Sequence, residues 1–377
     1  VKVLLLSAYA AHSHLHWQNM LQLMFTQWEW RVLTLPPRHF SWRVRGNALF
    51  WSMVERDTLE EDYDLLIATS MVDLATLRGL VPALARVPSV LYFHENQFAY
   101  PQNSHQHNLV EAQVTSIYSA LAAEKIVFNS HYNHDTFMAG CSALLQKLPD
   151  FVPPSVVPQL AATASVLPVP LDDKCFEHIE PAWPGRAEEG DKRPLRLLWV
   201  GRFEHDKGPE GLRHILRQLE EQELDYELAM VGQQFRQTPR VFSEIQATFA
   251  HRLAHYGFLE SPARYRALLQ AADVVLSTAI HEFQGLAVME AVAAGALPVV
   301  PNRLVYPQMY CADYCYTSCP DDPQREAGSA AALITALAGD LPERPARAPD
   351  MTIYSVNQLA PRYEAVFACA MGAQDSH

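Results

Sequence analysis

Short apolar runs alternate with longer amphipathic stretches along the whole chain, and this alternation limits the fold more than any other feature. Val1–Ser7 reads as a strand, and Ser13–Trp28 places Trp17, Leu21, Met24 and Trp28 at helical spacing. Further strands are predicted at Arg31–Leu35, Asp64–Thr69, Ser89–Phe93 and Lys125–Asn129, with helices at Met71–Gly79 and between the last two strands. Repeated strand–helix units give parallel sheets covered by helices on both faces, an α/β architecture.

Two domains are expected, because 377 residues exceed the size at which a single core keeps growing. The first domain spans 1–170. Leu148–Ala164, with Pro149, Pro153, Pro154 and Pro158, reads as an irregular excursion on it, and a strand at Ser165–Val169 closes it. Residues 171–194, rich in Pro, Gly and alternating charge, read as a linker. A second domain, 195–350, has strands at Leu195–Val200, Glu227–Val231, Asp273–Ser277 and Leu297–Val300, with a helix starting near Gly208. The final segment, 351–377, holds a helix at roughly Thr352–Ala370, long enough to cross back to the first domain.

Composition excludes several classes. With 49% apolar and 19% charged residues the chain is a globular protein, not a disordered one. Its apolar runs are far shorter than the ~20 residues that span a bilayer. No basic-then-apolar leader opens the sequence, so a cytoplasmic location is expected. Cys311, Cys315 and Cys319 are evenly spaced, but no second cysteine pair or histidine pair follows, so the six cysteines read as reduced structural thiols. A net charge of −13 disfavours polyanions globally, although a local cationic patch can still bind one.

In parallel sheets, ligands gather where strands end and helices begin. Strand Leu195–Val200 runs into Gly201, Arg202 and then Lys207-Gly208, placing two cations where a diphosphate would sit. Gly285, Leu286, Ala287 and Val288 open a helix whose free N–H groups suit an anion; Glu282 precedes that helix and Glu290 lies on it. A strand ending at Gly257, followed by Phe258 and Leu259, is a weaker signal of the same kind. Asp62-Tyr63-Asp64 resembles a metal-binding string but precedes its strand, at the opposite edge.

The first half carries different chemistry. Tyr92-Phe93 leads into His94, Glu95, Asn96 and Gln97, hydrogen-bonding groups suited to holding an acceptor hydroxyl. His12 and His14, at the loop-to-helix boundary after the first strand, are further candidates for the acceptor side; with His16 they do not share one face as metal ligands would. Arg38, Phe40, Trp42, Arg43 and Arg45 interleave cations with aromatic rings, a pattern that pairs phosphates and stacks bases. The same pattern also describes an amphipathic loop that packs Phe40 and Trp42 into the core with the arginines outward.

The second-half elements resemble the donor domain of retaining GT-B glycosyltransferases. They are Gly201-Arg202, Lys207-Gly208, the turn at Gly257, and the block from Ser277 through Glu282, Gly285 and Glu290 to Pro298-Val299, in that order. Over nearly its whole length the chain is similar to the tRNA-queuosine alpha-mannosyltransferases, a group akin to glycosyltransferase family 4. That similarity rests on Leu-Pro-Pro-Arg-His-Phe-Ser-Trp-Arg (35–43), Tyr-Phe-His-Glu-Asn-Gln (92–97), Val-Phe-Asn-Ser (127–130), Arg-Phe-Glu-His-Asp-Lys (202–207), Ser-Thr-Ala-Ile-His-Glu-Phe-Gln-Gly (277–285) and Leu-Val-Tyr-Pro (304–307).

The resemblance implies two Rossmann-like domains facing a central cleft. It also implies metal-independent transfer of mannose from GDP-mannose, with retention, to the cyclopentenediol of queuosine at the tRNA wobble position. Arg202 and Lys207 would hold the diphosphate, Glu290 the ribose, and Glu282 would flank the transferred sugar among the amides of Gly285–Val288. The Phe258–Leu259 backbone would read the base, and His94 would serve the acceptor. Two alternatives remain open at this stage: a GT-B enzyme acting on a lipid, glycan or small molecule, and a non-catalytic tRNA or nucleotide-sugar binder. Neither domain opens with Gly-x-Gly-x-x-Gly, which disfavours a dehydrogenase.

Overall fold

The computed structural model describes residues 1–100, 109–148, 150–186, 193–235, 238–339 and 348–372. The chain forms two compact units, one of residues 1–170 together with the segment from Val356 onward, the other of residues 171–355.

In the first unit six parallel strands lie in the order β2-β1-β3-β4-β5-β6. They are β1 (Lys2–Ser7), β2 (Glu29–Thr34), β3 (Leu65–Thr69), β4 (Ser89–Phe93), β5 (Lys125–Phe128) and β6 (Ala164–Val166). Helices α1 (His12–Met24), α2 (Phe40–Val54), α3 (Arg56–Leu59), α4 (Leu74–Leu80), α5 (Leu109–Leu121), α6 (His131–Leu145) and α7 (Val156–Thr163) connect and flank them. Val3–Leu6 and Leu65–Ala68 are fully buried, which is why these strands read as unbroken apolar runs. The chain passes from β1 to β2 on one side and then returns to β3 on the other. The loops after β1 and β3 therefore part at their carboxyl ends and leave room for a ligand.

The C-terminal helix, Val356–Gly372, packs on this first unit. Trp17 donates its indole N–H to the Tyr363 hydroxyl at 3.0 Å, and Tyr363 donates to the Pro168 carbonyl at 3.0 Å. Phe367 meets Phe25 at 5.6 Å and Trp28 at 5.7 Å.

The second unit repeats the design with the order β12-β11-β10-β7-β8-β9. Its strands are β7 (Leu195–Val200), β8 (Tyr226–Val231), β9 (Leu253–Gly257), β10 (Val274–Leu276), β11 (Leu297–Pro301) and β12 (Cys315–Tyr316). Helices α8 (Pro209–Glu221), α9 (Arg240–Thr248), α10 (Pro262–Ala271), α11 (Leu286–Ala293), α12 (Tyr306–Met309) and α13 (Pro323–Gly339) complete it. The switch of direction falls between β7 and β10, which pair directly, Trp199 opposite Leu276. The loops leaving these two strands carry Gly201–Gly208 and Ser277–Gly285.

Three expectations are corrected. The excursion at 148–164 contains the helix α7; Pro158 falls in its first turn, where a backbone N–H has no intrahelical partner to lose. Residues 171–186, expected to link, lie on the second unit: Trp183 donates to Glu227 at 2.9 Å, and the Ile179 N–H donates to Gln270 at 3.0 Å. The arginine-rich stretch from Phe40 is helical, its apolar Val44, Ala48 and Trp51 buried along one face. Among the described residues no helix is long and apolar enough to cross a membrane.

Candidate active site

The second unit brings its separate motifs to one place. The Asp206 carboxylate lies 3.4 Å from the Arg202 guanidinium and 3.3 Å from the Lys207 ammonium, so one acid ties the two cations together. Lys207 Nζ reaches Glu282 Oε2 at 2.9 Å, across the β7–β10 switch. The Glu282 carboxylate in turn accepts the N–H groups of Phe283 at 3.1 Å and Gln284 at 3.4 Å. Backbone bonds lock the two loops: the N–H groups of Ile280 and His281 donate to the Asp206 carbonyl, and the Thr278 hydroxyl donates to the Lys207 carbonyl at 2.8 Å.

Glycine is required at two of these positions. Gly208 caps α8 with φ +63°, and a Cβ there would run into the Thr278 carbonyl oxygen. Gly285 caps α11 with φ +75°, and a Cβ there would come within 3.3 Å of the Tyr306 ring. Both are left-handed conformations that L side chains adopt at a cost. The N–H groups of Leu286, Ala287 and Val288 then open α11 with no intrahelical carbonyl to bond. They face the direction in which the helix dipole favours negative charge.

Burial and charge oppose each other here. Burial alone would raise the Glu282 carboxyl, yet the Lys207 ammonium and the N–H groups of Gln284 and Gly285 hold it down at about 2. Burial would lower Lys207, but the carboxylates of Glu282 and Asp206 keep it above its ordinary value. Both groups are therefore charged at neutral pH, and the cradle contains a fixed cation beside helix-end amides.

Glu290 sits on α11 past the first turn, where the Tyr265 hydroxyl of α10 donates to its Oε2 at 2.8 Å. Gly257 ends β9, with the N–H of Gly232 donating to its carbonyl at 3.0 Å; beyond it Phe258 is exposed and Leu259 half-buried. Asp206, Tyr265 and Tyr306 were not legible as site residues in the sequence. The acid shared a motif with two cations, which was the available signal for Asp206; the tyrosines gave none.

On the first unit, His14 of α1 and His94 at the end of β4 stack with ring centroids 4.0 Å apart. His14 Nε2 meets the Glu95 carboxylate at 3.3 Å. Trp17 and Tyr92 form T-shaped pairs with His94, ring centroids 5.0 and 4.8 Å apart. Burial, then the neighbouring His14 and His16, hold His94 well below 6.5, so it is neutral, and its Nε2 finds no hydrogen-bond partner among the described residues. His12 is exposed at the start of α1, and His16 bonds the Pro170 carbonyl at 2.8 Å.

Asn96 does not present its amide to a ligand. Its Nδ2 donates to Asn133 and Thr136, and its Oδ1 accepts the N–H groups of Phe98 and Ala99, so it fastens the loop after β4 onto α6. Gln97 is buried too, with its carbonyl accepting from Gln113. Within the basic stretch, Arg45 bonds Asp73 at 2.5 Å and lies 3.5 Å from Glu111, so its charge is answered within the fold. Phe40 is half-buried, edge-on to Tyr9 at 6.3 Å. Arg38 and Trp42 remain exposed, and Arg43 is half-buried.

A family model described as tRNA-queuosine alpha-mannosyltransferase N-terminal matches residues 2–171, and one described as glycosyl transferases group 1 matches residues 185–346. A tRNA-queuosine alpha-mannosyltransferase of Drosophila melanogaster is 34% identical over 289 residues, 76% of each chain. The chain belongs to the tRNA-queuosine alpha-mannosyltransferase family. Members of that family are hexosyltransferases, and this one keeps both the dedicated N-terminal region and the glycosyltransferase domain.

Solved structures agree on the fold. Anabaena HepE, in complex with UDP and glucose, matches with a TM-score of 0.65 at 15% identity, over 97% of this chain and 99% of that one. The sucrose-phosphate synthase of Thermosynechococcus elongatus gives 0.65 at 16% identity, over 99% and 97%. The architecture is GT-B: two Rossmann-like α/β domains with parallel sheets. In this family member Gly201, Arg202, Lys207, Glu282 and Gly285–Val288 converge at one switch point of the second sheet, whereas the histidines cluster on the first unit. Among the described residues no three His, Cys, Asp or Glu side chains group as metal ligands would, and none of the six cysteines is in a disulfide.

Proposed function

We propose that this enzyme transfers mannose from GDP-mannose to the cyclopentenediol of queuosine at the tRNA wobble position, with retention, without a metal ion and in the cytoplasm. One observation carries the donor half: Arg202, Lys207, Glu282 and the opening amides of α11 form a single connected cradle.

The chemistry needs such a cradle. As the bond from the sugar to the nucleoside diphosphate breaks, negative charge grows on the departing phosphate. Arg202, Lys207 and the N–H groups of Leu286, Ala287 and Val288 disperse it without reorganising. Glu282, fixed by Lys207, flanks the sugar; Glu290 takes the ribose hydroxyls; the Phe258–Leu259 backbone meets the base. With charge supplied by side chains and amides, a metal has no evident task. On the acceptor unit, the neutral His94 offers a ring nitrogen to the attacking hydroxyl, and His14, held by Glu95, keeps that ring in place. Arg38, Trp42 and Arg43 face the RNA.

Incubation of the purified enzyme with GDP-mannose and queuosine-containing tRNA, followed by mass spectrometry of the nucleosides, tests this reading. A gain of one hexose on queuosine is expected. Unaltered queuosine, with transfer to a lipid or small-molecule acceptor instead, would overturn it.

A further inference from the structure

Between Trp30 and Val54 there is no aspartate or glutamate, in a chain that has 42 of them, while Arg31, Arg38, Arg43 and Arg45 fall in this stretch. Helix α2 follows β2, so its first turns stand at the carboxyl edge of the sheet. The contact of Phe40 with Tyr9 ties those turns to the loop that leads into His12 and His14. The basic stretch thus borders the candidate acceptor site on the same unit. Arg45 is engaged by Asp73 and Glu111, whereas among the described residues neither Arg38 nor Arg43 pairs with a carboxylate.

Trp42 stands out in this setting. It is 61% exposed, although tryptophan has the largest side chain available for burial. One turn further along α2 lies Gly46. A Cβ built on Gly46 would fall 2.7 Å from Cζ2 and 2.8 Å from Nε1 of the Trp42 indole, the two atoms flanking Cε2. Both are farther from it than Cε2 and almost equally far, whereas at the ring edge they would be as near as Cε2 or nearer, so the missing methyl falls over the face of the ring. The indole therefore lies face-down on bare helix backbone and turns its other face to solvent. Glycine inside a helix and a water-exposed tryptophan are each unfavourable for folding. Their pairing at i and i+4, in a stretch that carries arginines and no acid of its own, suits base stacking on a single-stranded nucleic acid.

We infer that Trp42, seated on Gly46, is the stacking platform for an unpaired base of the acceptor tRNA, with Arg38 and Arg43 taking the adjoining phosphates. This deepens the tRNA reading and rests on it.

An anticodon stem-loop RNA carrying queuosine, titrated into the full chain and followed by tryptophan fluorescence, tests the inference. The wild type should bind with quenching. Trp42→Phe should lose most of the quench and keep most of the affinity. Trp42→Ala should bind about tenfold more weakly or worse, by the same factor at low and high salt, because stacking releases no counterions. Arg43→Ala should instead flatten the salt dependence. Gly46→Ala, which keeps the tryptophan but pushes its indole off the helix, should weaken binding as well, with helicity unchanged by circular dichroism. Binding by Trp42→Ala within twofold of wild type would overturn the platform and leave the tRNA reading standing. Failure of the wild type to bind any tRNA would overturn that reading itself. Dissociation of a homodimer by Trp42→Ala, with RNA affinity intact, would assign this face to a second copy, together with the exposed Leu49, Phe50 and Met53 further along α2.

Discussion

Replacing Lys207 with methionine isolates the contact on which the donor cradle depends. Methionine keeps much of the side-chain volume but removes the ammonium 2.9 Å from Glu282. Held at about 2 rather than at the ordinary carboxyl value of 4.5, Glu282 favours its charged form by about 3 kcal/mol. With the Glu282 side chain 21% exposed, solvent screening reduces this to about 2 kcal/mol. In the wild type this stability is fully present above pH 4.5 and is lost as pH falls toward 2. In Lys207→Met the buried carboxylate loses its cation, its affinity for a proton rises, and the variant recovers stability as pH falls from 7. Chemical unfolding of wild type, Lys207→Met, Glu282→Gln and the double variant at pH 7 should give a coupling energy of about 2 kcal/mol. The Lys207→Met deficit should shrink by pH 5. A coupling below about 0.5 kcal/mol, or a deficit that does not change with pH, would refute the pairing as the organising contact.

Tyr265→Phe removes only the hydroxyl that holds Glu290; donor KM should rise several-fold with kcat little changed in steady-state kinetics, consistent with the net worth of about 1 kcal/mol of one hydrogen bond. Gly208→Ala should lower thermal stability by about 2 kcal/mol or more, because φ +63° and the Thr278 carbonyl both exclude a Cβ; a variant as stable as wild type would contradict the cap geometry. His94 is held neutral by burial, so the unfolded chain takes up a proton below pH 6.5 that the folded chain does not, and stability falls by about 1.4 kcal/mol per pH unit there. His94→Phe should flatten that part of the stability profile, as read from unfolding midpoints between pH 7 and 5.5.

Much of the fold was legible because strands buried on both faces cannot alternate polar with apolar residues. Ser89–Phe93 and Leu195–Val200 were therefore read with their ends in place. Helix α2 was not legible, since it starts from His39 in a left-handed conformation without a capping side chain, and its arginines mask the apolar stripe. Helix α7 was hidden among prolines of which only Pro158 lies within it. That Arg202, Lys207, Glu282 and Gly285 would come together was legible because they sit at strand ends, which a parallel sheet gathers at one edge. Contacts that depend on how one element registers against another were beyond the sequence. Tyr265 reaches Glu290 only through the packing of α10 on α11, and Arg45 is neutralised by a residue on the loop after β3. Asn96 illustrates the opposite error: a polar residue at a strand end that looked poised for a ligand is consumed in fastening its own loop.

The position of a bound donor product decides most. In a crystal structure of the enzyme with GDP, the terminal phosphate should lie within hydrogen-bonding distance of Arg202, Lys207 and the first amides of α11, with the ribose at Glu290. A diphosphate bound elsewhere, with Lys207 and Glu282 untouched, would contradict the account.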